Sequence, residues 1–224
     1  MKSHRPDIVL ISTIGLLLGF GVLMLSSASS VVALEKFQDG FHFVKRQVFM
    51  GIVPGLVVLV FFSLLDYRFI KRWAIPLFVV SLLLLMAVFI PSVGVSYGRA
   101  HSWISLAGFS FQPSEIAKLT FLIYLAAWCA KRREQGEHAP FAPFVVFLAV
   151  MAGLLILQPD VGTMTVIILS AVGLYFVAGA RWAHLASLAV AGFAGLFALI
   201  QIAPYRAARL SVFLHPELDP QGIG

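Results

Sequence analysis

Glu115 and Lys118 stand three residues apart in the stretch Gln112-Pro113-Ser114-Glu115-Ile116-Ala117-Lys118, at the head of a long apolar segment from Ile116 to Ala130. A charge at bilayer depth costs roughly 2.5 to 3.5 kcal/mol even on lenient insertion scales, so an intramembrane carboxylate and ammonium mark a functional or mutually paired site. Pro113 suits the first turn of a helix, where its missing N–H costs nothing, and Glu115 then falls in that turn, favoured by the helix dipole. Lys118 lies most of a turn deeper on the same face. It either snorkels outward to pair with Glu115, or both line a polar cavity; the cavity is the expectation here.

Three further groups invite a chemical reading. Asp160 sits between Pro159 and an apolar run starting at Val161, which makes it a helix N-cap or, if it meets Glu115 across a shared cavity, a holder of a basic group or substrate. Arg206 and Arg209 share one helix face in the tail, where guanidinium groups suit phosphate or diphosphate oxygens as well as lipid headgroups. Asp219-Pro220 is a turn or helix-start signal, with Asp as cap. Spacing alone gives Asp219 little claim to catalysis.

These groups are carried by a chain in which 60% of 224 residues are hydrophobic and 12% charged, with a mean hydropathy of +0.97. An average soluble domain is about a quarter charged, so this is an integral membrane protein. The net charge of +6 comes from short basic clusters between apolar runs rather than a basic face with stacking aromatics, which excludes nucleic acid as a partner. The single cysteine, Cys129, excludes an internal disulfide and a cysteine zinc cluster and reads as a small buried packer.

Seven apolar segments approach the ~20 residues needed to cross ~30 Å of hydrocarbon. They run from Ile8 to Ala28, Val48 to Leu65, Ala74 to Ile90, Ile116 to Ala130, Phe144 to Leu157, Val161 to Ala178 and Ala183 to Ile202. Helices are required, because an open strand in lipid leaves its backbone unpaired. The first segment has an apolar core too long for a signal peptide. An N-terminus on the cytoplasmic side puts nine of sixteen basic residues inside (Lys2, Arg5, Arg68, Lys71, Arg72, Lys131, Arg132, Arg133, Arg181) and six outside (Lys36, Lys45, Arg46, Arg99, Arg206, Arg209). An odd span count then places residues 203–224 outside. Gln158-Pro159-Asp160 joins the fifth and sixth segments as a helical hairpin or a broken, partly re-entrant element. Residues 1–224 form one membrane domain with outer loops at Pro91 to Phe111 and in the tail, a hydrophilic inner turn from Lys131 to His138, and no internal repeat. The fold class is an all-α polytopic transmembrane bundle.

Five stretches, in order, carry a resemblance. They are Met24-Leu25-Ser26-Ser27-Ala28-Ser29; Phe43-Val44-Lys45-Arg46-Gln47; Trp103-Ile104 with Phe109 to Lys118; Gln158-Pro159-Asp160-Val161-Gly162-Thr163; and Phe213-Leu214 with Asp219-Pro220. The chain resembles the SEDS family (shape, elongation, division and sporulation), the polytopic synthases of bacterial peptidoglycan, and its FtsW members more than RodA.

The resemblance implies a glycosyltransferase that polymerises lipid II at the outer face of the bacterial cytoplasmic membrane in cell division, beside a class B penicillin-binding transpeptidase and other divisome membrane proteins. It implies Asp219 as the essential acid, and Arg206, Arg209, Lys118 and Arg99 as candidates to meet the diphosphate, with Glu115 and Asp160 also at the substrate. It demands no cofactor and admits a divalent cation. Family members have about ten spans, so this chain is expected to be an N-terminal part, inactive by itself. Where FtsW members carry Gly-Ala-Arg-Arg-Trp or a close variant, this chain has Gly98-Arg99-Ala100-His101-Ser102-Trp103, which displaces the basic positions. A lipid II flippase and a non-catalytic scaffold are the competing classes.

Overall fold

A computed structural model describes residues 7–91, 93–97, 100–106 and 109–202. The elements are α1 (Ile8–Phe37), α2 (His42–Gln47), a π-helical turn (Val48–Ile52), α3 (Val53–Leu64), α4 (Tyr67–Ala87), strands β1 (Gly94–Tyr97), β2 (Ala100–Leu106) and β3 (Phe109–Phe111), then α5 (Pro113–Glu134), α6 (Phe141–Leu157), α7 (Val161–Val177) and α8 (Trp182–Ile202). Each apolar segment of the sequence is helical. Among the described residues, four helical stretches are long and apolar enough to cross a membrane: α1, His42–Leu64, α4 and α8. At 17 residues, α6 and α7 reach about 25 Å each. With 22 residues, α5 has length to spare but carries charges in its first and last turns.

The chain packs as two units, one ending at Tyr67 and one starting at Arg68. In the first, Asp7 caps α1 by accepting from the Leu10 N–H at 3.1 Å. Gln38 closes that helix in the left-handed conformation, φ 55°. Asp39 then organises the turn, accepting from the Phe41 N–H at 3.1 Å and from Lys45 Nζ at 2.9 Å. His42 stacks flat on Phe37 at 3.9 Å. The π turn has a local cause: Pro54 lacks an N–H and its ring crowds the carbonyl four residues back, and the Val53 N–H bonds instead to Val48 O, five back.

In the second unit the core lies among α4, α5, α6 and α7. Its stripes are Phe78 and Leu85 of α4; Ala117, Phe121 and Leu125 of α5; Phe144, Leu148, Met151 and Leu155 of α6; and Met164, Ile167, Ala171 and Tyr175 of α7. The three- and four-residue spacing is that of one helix face. Phe144, at the start of α6, stacks on Tyr175, near the end of α7, at 4.1 Å. The two helices are therefore an antiparallel hairpin, which decides between the two forms left open for Gln158-Pro159-Asp160. The outward faces stay apolar, as with Val146, Leu169 and Phe193, because lipid is as apolar as a protein interior.

Two expectations are corrected. The segment from Pro91 to Phe111 is not a plain loop: β1, β2 and β3 form an antiparallel sheet in that order, with Gly94 opposite Ile104 and Ile104 opposite Phe111. Alternation from Ser102 to Ser105 supplies the period of two, burying Ser102 and Ile104. Gly94 is required where the chain leaves α4, since a Cβ there would run into the Val88 carbonyl oxygen. Second, the inner turn is shorter than Lys131 to His138. Lys131, Arg132 and Arg133 occupy the last turn of α5, where cations are favoured by the dipole, and Gly136, φ 75°, closes the helix.

Candidate functional site at the sheet end of the bundle

Four chain ends of the second unit converge beside the sheet: the end of α4, the start of α5, the end of α6 and the start of α7. Asp160 is the N-cap of α7, accepting from the Thr163 N–H at 3.1 Å through Oδ1. Its Oδ2 accepts from Gln112 Nε2 at 2.9 Å and from the Ser114 hydroxyl at 3.2 Å. Among the described residues the carboxylate is thus held by three donors and no cation, and it ties the start of α7 to the start of α5. Gln112 is free to reach across because it does not cap α5 with its own side chain.

Glu115 and Lys118 pair with each other. Lys118 Nζ donates to both carboxylate oxygens at 2.9 Å, with 30% of the lysine side chain and 56% of the glutamate side chain exposed. The helical spacing alone brings this about. No hydrogen bond joins this pair to Asp160. The sheet end therefore carries two polar centres, one clamped between helices and one open.

Beneath them lies a buried frame absent from the candidates drawn from sequence. Gln158 is fully buried, and its Nε2 donates to the Leu85 carbonyl at 2.8 Å. Its own carbonyl accepts from the buried Ser102 hydroxyl at 3.2 Å, joining β2 to the hairpin. Gln158 Oε1 has no protein partner among the described residues, and a buried amide oxygen of this kind is an acceptor for an ordered water or a ligand donor. One turn deeper, Thr120 donates to Ser81 at 2.7 Å and Ser81 donates to the Phe78 carbonyl at 2.8 Å, stitching α5 to α4. The available signal was a polar residue, Gln158, ending an apolar run immediately before a proline.

Chemically, the sheet end offers a cation beside an open carboxylate, a second carboxylate saturated with donors, and an unfilled acceptor. That set can bind a charged, hydroxyl-bearing solute. Arg99, Arg206, Arg209 and Asp219 lie outside the described residues. Among the described residues no three metal-ligating side chains cluster.

Residues 8–224 match the family model described as cell cycle protein, which joins FtsW, RodA and SpoVE. The chain belongs to the FtsW/RodA/SpoVE family. It is 37% identical over 220 residues to a probable peptidoglycan glycosyltransferase FtsW of Trichlorobacter lovleyi, covering 97% of this chain and 58% of that protein. It is 38% identical over 229 residues to the stage V sporulation protein E of Bacillus subtilis, covering 100% of this chain and 61% of that one. Among solved structures it is similar to a chain of a peptidoglycan synthase complex that coordinates polymerization with crosslinking, with a TM-score of 0.64, 28% identity, and 91% of this chain and 61% of that chain covered. It is also similar to the rod shape determining protein RodA of Thermus thermophilus, with a TM-score of 0.59, 30% identity, and 82% and 58% covered.

An FtsW/RodA/SpoVE-family chain with these helices is a multi-pass membrane protein. It spans about three-fifths of the length of the curated relatives it matches, 58% and 61% for these two.

Proposed function

We propose that this protein, at full length, is a peptidoglycan glycosyltransferase that polymerises lipid II into glycan strands at the outer face of the bacterial cytoplasmic membrane during cell division. The observation that carries the reading is family membership over residues 8–224, to which the paired charges at Glu115 and Lys118 add a polar centre where a lipid-linked diphosphate sugar needs one. In this reading the N-terminus is cytoplasmic, and the sheet end and residues 203–224 face outward. The partners are lipid II, a class B penicillin-binding transpeptidase and other divisome membrane proteins.

The reaction joins the acceptor sugar's 4-hydroxyl oxygen to the donor's anomeric carbon while the bond from that carbon to the lipid diphosphate breaks. Asp219 takes the hydroxyl proton as the new bond forms, a contribution of roughly 10² to 10⁴ in rate. The diphosphate leaves with its electron pair, and its growing negative charge calls for preorganised cations. Arg206, Arg209, Arg99 and Lys118 supply them, Glu115 holds Lys118 in place, and Asp160 ties the start of α7 to the start of α5, the helix that carries Lys118. A divalent cation would assist the same charge.

The test is Asp219→Asn in the complete protein, reconstituted with lipid II in liposomes. Glycan polymer should fall by at least a hundredfold while lipid II binding persists. Full polymer synthesis by the variant would remove Asp219 from the mechanism. Loss of lipid II translocation, with no polymer made by the parent protein, would favour a flippase instead.

A further inference from the structure

The opposite end of the second unit, where α7 ends and α6 and α8 begin, contains a cavity of about 220 Å³. Its chemistry comes from His138, Phe141, Tyr175, Arg181 and His184. None of these belongs to the polar centres at the sheet end.

The cavity wall is pre-formed. Tyr175 is buried, and its hydroxyl donates its one proton to the Ala139 carbonyl at 3.0 Å. The 3.2 Å contact between that hydroxyl and His184 Nδ1 is then closed by the imidazole N–H donating to the phenol oxygen. This assigns the Nδ1–H tautomer and leaves His184 Nε2 without a protein partner among the described residues. The imidazole is clamped by stacking on Phe141 at 4.3 Å. Gly179, φ 91°, reverses the chain after α7, with the Ala180 N–H on Tyr175 O at 3.2 Å, and this delivers Arg181 to the position immediately before α8.

Arg181 is the guanidinium that lines the cavity. Lys71 pairs with Glu134 and Arg132 with Glu137. No carboxylate pairs with Arg181 among the described residues. The starts of α6 and α8 add the positive ends of two helix dipoles. Trp182, three-quarters exposed beside Phe176, is the amphipathic ring expected at headgroup depth. Below the cavity the faces of α7 and α8 are apolar and exposed, as at Val177, Val190 and Phe193.

We propose that this cavity binds a phosphate group, that of an anionic phospholipid headgroup or free inorganic phosphate. Arg181 takes the phosphate oxygens, His184 Nε2 meets a headgroup or phosphate hydroxyl, and acyl chains of a lipid lie along α8. The volume is below the ~300 to 1,000 Å³ of drug-sized ligand pockets, which suits a small polar headgroup. Basic pockets between membrane helices at the basic-loop side recognise headgroups in this way. The proposal is independent of the polymerase reading.

The experiment reconstitutes the full-length protein in phosphatidylcholine nanodiscs with or without phosphatidylglycerol, and counts retained phosphatidylglycerol by native mass spectrometry. A parallel arm titrates inorganic phosphate into the phosphatidylcholine discs and follows thermal stability. The parent should retain one phosphatidylglycerol, and Arg181→Gln should weaken retention by roughly tenfold, the loss of one charge-assisted contact. Arg181 is exposed, so this variant folds. Arg133→Gln removes a cation of the same end that does not line the cavity and should change nothing. Stabilisation by phosphate without lipid retention, abolished in Arg181→Gln, identifies free phosphate as the source and supports the site. Equal losses in Arg133→Gln and Arg181→Gln, or no loss in either arm, overturn the proposal.

Discussion

Replacing Asp160 by alanine removes three hydrogen bonds at once and separates a positioning role from a substrate-binding one. The N-cap bond to the Thr163 N–H is worth ~1 kcal/mol. The Ser114 hydroxyl, fully buried, loses its acceptor at a cost of ~1.5 kcal/mol. Gln112 is half-buried and rehydrates in part, adding ~0.5 kcal/mol. The total of ~3 kcal/mol corresponds to a Tm lowered by roughly 6 to 12 °C for a domain of this size. Asparagine behaves differently. It keeps the cap oxygen, while rotation of the Ser114 hydroxyl and inversion of the Gln112 amide satisfy its NH₂, so only charge assistance is lost, ~1 kcal/mol. Thermal unfolding in one detergent, followed by far-ultraviolet circular dichroism, measures both variants, and a double-mutant cycle with Ser114→Ala isolates the cross-helix bond. An Asp160→Ala variant within ~0.5 kcal/mol of the parent, or Asn more damaging than Ala, would refute the reasoning. If Asp160 only positions the walls, Asp160→Asn in the complete protein retains most of its polymer synthesis.

Glu115→Gln and Lys118→Met should each change stability by less than ~1 kcal/mol, because the pair is partly exposed and i,i+3 pairs contribute little; polymer synthesis by the complete protein should nonetheless fall at least tenfold, and normal synthesis would remove the pair from the site. Gly94→Ala forces a Cβ onto the Val88 carbonyl and should cost about 1 to 3 kcal/mol, whereas Gly153→Ala, with nothing nearby, should stay within ~1 kcal/mol of the parent in the same melt. The Lys45 ammonium and the Phe41 N–H hold the Asp39 carboxyl below its ordinary value of 3.8. A depressed carboxylate stabilises its turn above that value, and the contribution disappears as pH falls through the lower folded value. Carbon-13 titration of Asp39 should show this depression, Lys45→Ala should reduce it, and salt should weaken it because the group is exposed; an unchanged midpoint in Lys45→Ala would assign the shift elsewhere.

What can be read from this chain without its structure is what neighbouring residues decide among themselves. The apolar runs located every membrane helix, since in lipid a hydrophobic segment has no other way to satisfy its backbone, but not its ends: α1 continues to Phe37, well past Ala28, and α4 begins at Tyr67, well before Ala74. Pro113 at the head of α5, Asp160 as a cap and Glu115 beside Lys118 are likewise consequences of local spacing. The sheet is not legible in the sequence, because its strands are short and flank glycines, with alternation over only four residues. Tertiary structure alone decided the rest. Gln112 and Ser114 meet Asp160 across 48 and 46 residues, and Gln158 meets Leu85 and Ser102 across 73 and 56. No local pattern specifies such partners, because polar groups cut off from water must find each other wherever the packing brings them. Nor could hydropathy choose the packed faces. Phe144 and Val146 are equally apolar and two residues apart, yet one is in the core and the other is exposed. Lipid gives no reward for hiding either, so shape and buried hydrogen bonds made the choice.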